Sequence, residues 1–361
     1  MVLEQRTIDH IRSLSLHSEH EGKLSSEALQ CIMERGWFKV FVPKEFGGAM
    51  LSLPEALRLY QYASWVDGSF GWLTTIGAGG GYFAAFMQSE TAEQVFASPE
   101  AVIAGSGAPT GTAVRTDGGY IVNGKWSFCS GADHATTFTA NCIIDHGDNS
   151  EPATNPAIRA FAFFPHQVEI DRDWRAFGLK ATGSHSIVVR NAFVPEARTF
   201  SFLEQLAYHD EALFNYPFLP FAQATFCAVA IGIASHLLDE ARSLAERKQE
   251  TWQASKAGRY EYVMRLIGQA EDRLNSETAA FYDTMERSWS DHVQGQPITD
   301  EELAEVGQCC KRTARAALAC GEMLIPKMGI AAVMENEPLN QTWRDLQVAC
   351  QHSVLVSFEE E

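Results

Sequence analysis

Apolar positions recur at helical spacing through the first hundred residues. Leu29, Ile32 and Met33 follow Ser25 and Ser26, which can cap a helix. Gly36 stands where a helix end favours a left-handed residue. Val42-Pro43 and Gly47-Gly48 predict a loop, and a second helical pattern runs from Pro54 to about Ser64. A Gly/Ala-rich stretch from Gly77 to Gly81 leads into Phe83, Phe86 and Met87. No GxGxxG or GKS motif follows a strand there, so its small residues point to close helix packing rather than to a phosphate loop.

From about residue 101 the pattern changes to short apolar runs. Gly118-Gly119 is a turn signal between Val114 and Tyr120-Ile121-Val122, and Asn123-Gly124 reads as another. Ala160 to Phe164 is one run. Ile187-Val188-Val189 and Ala192-Phe193-Val194 are two more, separated by Arg190-Asn191. These predict strands, several in hairpins, in a compact antiparallel unit.

After about residue 217 the helical period returns. Phe221 to Arg247 is one long helix, and Tyr260 to about His292 a second. Thr299 and Glu302 form a capping box for a third, expected to stop near Ile325 before Pro326. Pro338 opens a fourth, expected to run through Trp343 towards Val356. The pattern predicts an α+β chain of three parts: a helical domain over 1–100, a middle antiparallel β domain over 101–205, and a four-helix bundle over 206–361.

Bulk composition narrows the function. A net charge of -18 with a pI near 5.0 argues against nucleic acid and bare anionic membrane as partners. The N-terminus carries charges where a secretory segment is apolar, and no uninterrupted apolar run of about 18 residues suggests a membrane span. A cytoplasmic protein with eight buried, reduced cysteines is the expectation. No histidine or cysteine spacing suggests a metal site.

Several ordered segments carry a family resemblance: Gly36-Trp37 with Val42-Pro43-Lys44-Glu45-Phe46-Gly47-Gly48; Gly119 to Gly131; Gly178-Leu179-Lys180-Ala181-Thr182-Gly183-Ser184; Val194-Pro195; and Trp343-Arg344-Asp345. With these the chain resembles the acyl-CoA dehydrogenase superfamily over nearly its whole length. Within it, the chain looks most like the oxygenase components of two-component flavin-dependent monooxygenases, which hydroxylate phenols.

The resemblance implies a flavin, FAD or FMN, between the β domain and the bundle. Trp126 and Phe128 offer aromatic surface to it. Ser106, Gly107, Ser130, Gly131, Thr182, Gly183 and Ser184 offer hydrogen-bond donors. It also implies a homotetramer in which a neighbouring subunit holds the phosphate end. The Arg-Phe-Gly motif used there by relatives is replaced by the segment around Arg247, the candidate phosphate-end residue. The Gly-Gly-x-Gly motif is replaced by Lys327 to Ala332. Loss of both motifs suits an enzyme that takes reduced flavin from a separate reductase.

Dehydrogenases of this superfamily place a glutamate at one of two positions, which here are Ser353 and Ala222. Neither is acidic. His352, seven residues after Asp345, matches the histidine of the monooxygenases and is the candidate base for a phenol proton. His134 and Ser130 are further candidates at the site, and His185 a weaker one. Phe214, Tyr216, Phe218 and Phe221 are candidate lining for a flat, apolar substrate. The chain ends nine residues after His352, where relatives run on by about one helix, so a more open pocket is expected. Three functions are compatible with these features: a reduced-flavin monooxygenase on a flat apolar substrate, a flavin dehydrogenase or oxidase with a displaced base, and a non-catalytic binding subunit.

Overall fold

The computed structural model describes residues 2–145, 157–201 and 207–356. The boundary expected at 205/206 lies outside these residues. Five helices come first: α1 (Gln5–Glu21), α2 (Ser26–Glu34), α3 (Leu53–Val66), α4 (Gly68–Gly79) and α5 (Ser89–Phe96). Ser25 caps α2 by accepting from the Ala28 amide at 3.2 Å. Glu55 reaches back to both the amide and the hydroxyl of Ser52 at the start of α3.

Helix α4 was not legible as a helix because it has no polar face. Nearly every residue from Gly68 to Ala78 is buried, so its apolar pattern shows no period. Asp67 caps it through the Phe70 amide at 2.8 Å. Its small residues are required by packing. A Cβ on Gly71 would lie 2.1 Å from the Ser64 hydroxyl, and one on Gly77 2.4 Å from Phe38.

Seven strands follow: β1 (Ile103–Thr116), β2 (Gly119–Cys129), β3 (Thr137–Asp145), β4 (Ile158–Phe163), β5 (Glu169–Asp171), β6 (His185–Pro195) and β7 (Thr199–Phe200). They form one sheet in the order β5-β6-β2-β1-β3-β4-β7. The expected all-antiparallel unit is corrected to a mixed sheet, because β1 and β3 pair in parallel. The reason is topological. The β1–β2 hairpin returns the chain to the end where β1 began, so a strand laid on the free edge of β1 must run in its direction.

Two expected turns are also corrected. Strand β2 runs straight through Asn123-Gly124, and β6 runs through Arg190-Asn191. Between them β6 holds one extra residue, a bulge in which Asn191 takes a φ of 47°. Asn123 satisfies the bulge by accepting from the Asn191 amide at 2.8 Å.

Helices α6 (Ala212–Asn215), α7 (Phe218–Ser255), α8 (Arg259–Val293), α9 (Asp300–Met328) and α10 (Pro338–Ala349) complete the described chain. The Thr299–Glu302 capping box opens α9 as expected, but the helix continues past Pro326. Helix α7 is long and apolar enough, by length and composition, to cross a membrane. Of its most apolar window, 78% is buried within the protein, where it is the central core helix. Helix α10 stops at Ala349, short of the expected Val356. All eight cysteines are free and buried.

The three regions meet at α10. Arg344 binds Glu19 of α1 with both carboxylate oxygens, at 2.8 and 2.9 Å, and donates to the Phe177 carbonyl at 2.5 Å. Asp345 accepts from the Leu179 amide at 2.5 Å. Both side chains are buried. Gly178 is obligatory here, because a Cβ would stand 2.1 Å from the Arg344 carbonyl oxygen. We expect Glu19→Ala, which leaves the Arg344 guanidinium buried without its carboxylate, to cost about 3 kcal/mol in urea unfolding. Gly178→Ala should cost at least as much. Wild-type midpoints for both would remove this anchor from the stability of the fold.

Candidate functional site

The site begins with two irregularities of the sheet. Between Ser106 and Gly111 the β1–β3 register slips, and β1 spends three more residues than its partner. The segment swings out, leaving the backbone around Gly107 free of the ladder, with Asn141 donating to the Gly107 carbonyl at 2.8 Å. Between Trp126 and Cys129, β2 holds one residue more than β6. This second bulge turns Phe128 outward: its φ is 66° and its side chain is 73% exposed. An exposed large aromatic in a left-handed conformation is costly, and such bulges typically re-aim a side chain beside an active site.

Directly after the bulge, several predicted residues come together. Ser130 shares a hydrogen bond with Ser184 at 2.7 Å, and Ser184 with Thr182 at 2.7 Å. Thr182 donates to the Leu179 carbonyl, which ties the chain of hydroxyls to the loop held by Asp345. Gly131 and Gly183 both take positive φ, and the Gly131 amide binds the Thr182 carbonyl at 2.9 Å. All three hydroxyl side chains are buried.

Trp72, on α4, was missed in the sequence. Its indole N–H donates to the Ser130 hydroxyl at 2.9 Å. Its ring packs on Phe226 of α7, and Phe226 stacks on His352 with ring centroids 3.8 Å apart. An aromatic chain thus connects the hydroxyl cluster to the candidate base. A tryptophan in a glycine-rich apolar run was the available signal, but nothing in the run pointed to Ser130.

His352 lies in a turn past the end of α10, so it does not share a helical face with Asp345. Asp345 faces Leu179, and His352 faces Trp72 and Phe226. Burial lowers the His352 pKa to about 4, which leaves a neutral imidazole at pH 7. Burial does the same for Asp345 in the opposite sense, pushing its carboxyl well above the usual range, with Asp67 adding to the effect.

A cavity of about 440 Å³ opens between α4, the β1 and β3 strands and α7. Ser106 and Gly107 line it, as do Phe218, Phe221 and Phe226. Ala222, one of the two positions where a carboxylate base was sought, also lines it and carries only a methyl group. Ser353, the other, is exposed. His352 sits behind Phe226 rather than on the wall.

Other predicted residues fall elsewhere. Trp126 is fully buried inside the sheet, clasped between Gly111 and Gly124 and donating to the Asn141 carbonyl, so its ring offers no surface to a cofactor. Phe214 and Tyr216 are buried in the core beside Tyr82 and Trp289, away from the cavity wall. His134 stacks on Phe38, where burial lowers its pKa to about 4. His185 lies in a separate polar cleft with Asp133 and Arg172. Arg247 pairs with Glu337 and lies 26 residues beyond Phe221 on α7, roughly 40 Å along the axis. Within one chain it does not meet the site.

Known proteins resemble this chain in sequence and in fold. Residues 224–357 match the family "Acyl-CoA dehydrogenase, C-terminal domain". The indole-3-acetate monooxygenase of Acinetobacter baumannii is 28% identical over 338 residues, covering 93% of this chain and 85% of that protein. The solved structure of the HsaA monooxygenase from Mycobacterium tuberculosis superposes with a TM-score of 0.86 at 23% identity, over 97% of this chain and 93% of that one. XiaF from Streptomyces, solved in complex with FADH2 and glycerol, superposes with a TM-score of 0.75 at 21% identity, over 97% and 91%. Residues 224–357 thus resemble an acyl-CoA dehydrogenase C-terminal domain, and the chain shares the fold of the HsaA monooxygenase and is similar in sequence, over almost its whole length, to the indole-3-acetate monooxygenase of Acinetobacter baumannii.

Proposed function

We propose that this protein is the oxygenase of a two-component flavin system, hydroxylating a flat apolar substrate with reduced flavin, FAD or FMN, delivered by a separate reductase. The observation that carries the reading is the replacement of a carboxylate by Ala222 and Ser353, together with a neutral His352 one ring behind the cavity. Abstraction of a proton alpha to a thioester calls for a carboxylate, and the cavity wall has none among its described residues.

The residues fit a flavin ring. Phe128, turned out by its bulge, supplies an aromatic face. Ser130, Ser184 and Thr182 supply hydroxyls at one edge, and the freed backbone at Ser106 and Gly107 allows close approach. Bound reduced flavin supplies the activation of dioxygen. The protein's own residues do the rest. The phenylalanine-lined cavity orients the substrate and excludes water. Trp72 holds the Ser130 hydroxyl in place by donating to it; since Thr182 donates to Leu179 and Ser184 to Thr182, Ser130 donates to Ser184 and keeps a lone pair for a ligand. His352, half-buried and kept neutral by its desolvation, accepts the substrate proton; Phe226 stands between and has to turn for that transfer. His134 stays beside Gly131 as a packing and positioning group.

In this reading the chain divides at 1–100, 101–205 and 206–361, and works in the cytoplasm as a homotetramer. Arg247 reaches the flavin phosphate of a neighbouring subunit. A small-molecule substrate and the flavin reductase are its partners.

The purified protein should be colourless, bind reduced flavin more tightly than oxidised flavin, and give oxygenated product with oxygen. A tightly bound yellow flavin that bleaches anaerobically with an acyl-CoA would overturn this. His352→Ala should keep reduced-flavin binding and lower hydroxylation by about 100-fold, within the usual worth of a positioned base. Wild-type turnover in that variant would remove His352 from the mechanism.

A pH dependence follows from the same burial. His352 and His134 have folded pKa values near 4, below the ordinary 6.5, so the unfolded chain binds more protons between those values. Stability should therefore be full above about pH 6.5 and fall as pH drops towards 4. The urea midpoint read across this range checks it, and His352→Gln should flatten part of the slope.

A further inference from the structure

We infer that the cavity selects an uncharged aromatic that donates a hydrogen bond, and discriminates against ring substrates carrying a carboxylate. This rests on the oxygenase reading and names its substrate class.

The first observation is electrostatic. No Asp, Glu, Lys, Arg or His is among the residues lining the cavity. Phe83, Phe200, Phe218, Phe221 and Phe226 are among them. The cation nearest in sequence to the wall is Arg159, next to Ala160 on β4. Alternation along the strand sends it to the opposite face. There it donates to the Thr199 hydroxyl at 2.6 Å and lies 3.8 Å from Glu196. The residues outside the description, Met1, 146–156, 202–206 and 357–361, contain no lysine or arginine. A carboxylate entering this cavity gives up its hydration and finds no cation among the described lining residues to replace it, in a protein whose net charge is already -18. The similar monooxygenase of Acinetobacter baumannii is named for indole-3-acetate, which bears such a carboxylate at neutral pH.

The second observation concerns hydrogen-bond polarity. Thr75 donates its hydroxyl proton to the Gly71 carbonyl at 2.9 Å, and Thr225 to the Ala222 carbonyl at 2.9 Å. Both bonds stay within the helix that carries the threonine. Each hydroxyl therefore has only lone pairs left for the cavity. On the strand wall, Asn141 commits one of its two amide protons to Gly107. The two helical walls accept hydrogen bonds, so against them a ring with an O–H or N–H is matched and a ring bearing only acceptors is not.

The test is equilibrium binding to the purified full chain at pH 7.5, read by calorimetry, with matched probes. Indole should bind at least about tenfold tighter than indole-3-acetate, and p-cresol at least about tenfold tighter than 4-hydroxyphenylacetate. 1-Methylindole, which lacks the N–H, should bind several-fold more weakly than indole. In the Thr75→Val/Thr225→Val double variant that last difference should shrink. Equal or tighter binding of the carboxylates overturns the inference, as does no binding of any probe. The same probes are then offered reduced flavin and oxygen. Selective binding without oxygenated product would sink the oxygenase reading while leaving the selectivity of the cavity standing.

Discussion

The site depends on a buried anchor between α10 and the loop at Gly178. Arg344 and Asp345 are adjacent in sequence but act in different directions. Arg344 holds α1 through Glu19, and Asp345 holds the Leu179 amide. Removing water from these charges is expensive, so their value lies in geometry more than in net stability. Leu179 has a φ of 48° and its carbonyl receives the Thr182 hydroxyl. The anchor therefore fixes the start of the hydroxyl series that ends at Ser130 and Trp72. A displacement of α10 would be felt across the sheet, through hydrogen bonds with no slack.

On that frame, the functional features are departures from a regular sheet. A β-strand pairs every other residue, so an inserted residue must leave the ladder. One insertion puts Phe128 into solvent, and the longer slip after Ser106 frees the backbone of Gly107. Trp126, two residues before Phe128, faces the opposite way and fills the sheet interior. Two neighbouring aromatics are thus divided between the sheet interior and the protein surface by one extra residue.

The electrostatics are those of a dry site in an acidic protein. Charges gather at the surface and in the anchor, while the described residues of the cavity wall carry none. Burial leaves His352 neutral, which is the protonation state in which a histidine can accept a proton. The aromatic stack of Trp72, Phe226 and His352 links this histidine to the hydroxyl cluster without placing a charge between them.

Local rules written in the sequence determined much of this protein. The helix–strand–helix order, the capping box at Thr299, the turn at Gly118-Gly119, the glycines at tight packing points and the family motifs are all readable over a few residues, because caps, turns and periodicity act over that range. What required the tertiary structure were relations between distant segments. The sense of β3 depended on where the β1–β2 hairpin returned the chain. Asn123-Gly124 and Arg190-Asn191 look like turns alone, and become a bulged strand pair only when laid side by side. Helix α4 has no period to read because it is buried on every side. The seven-residue spacing of Asp345 and His352 suggested a shared face, but the helix ends between them. They meet different partners, Leu179 for one and Phe226 for the other, since packing rather than spacing decides where a side chain beyond a helix end will point.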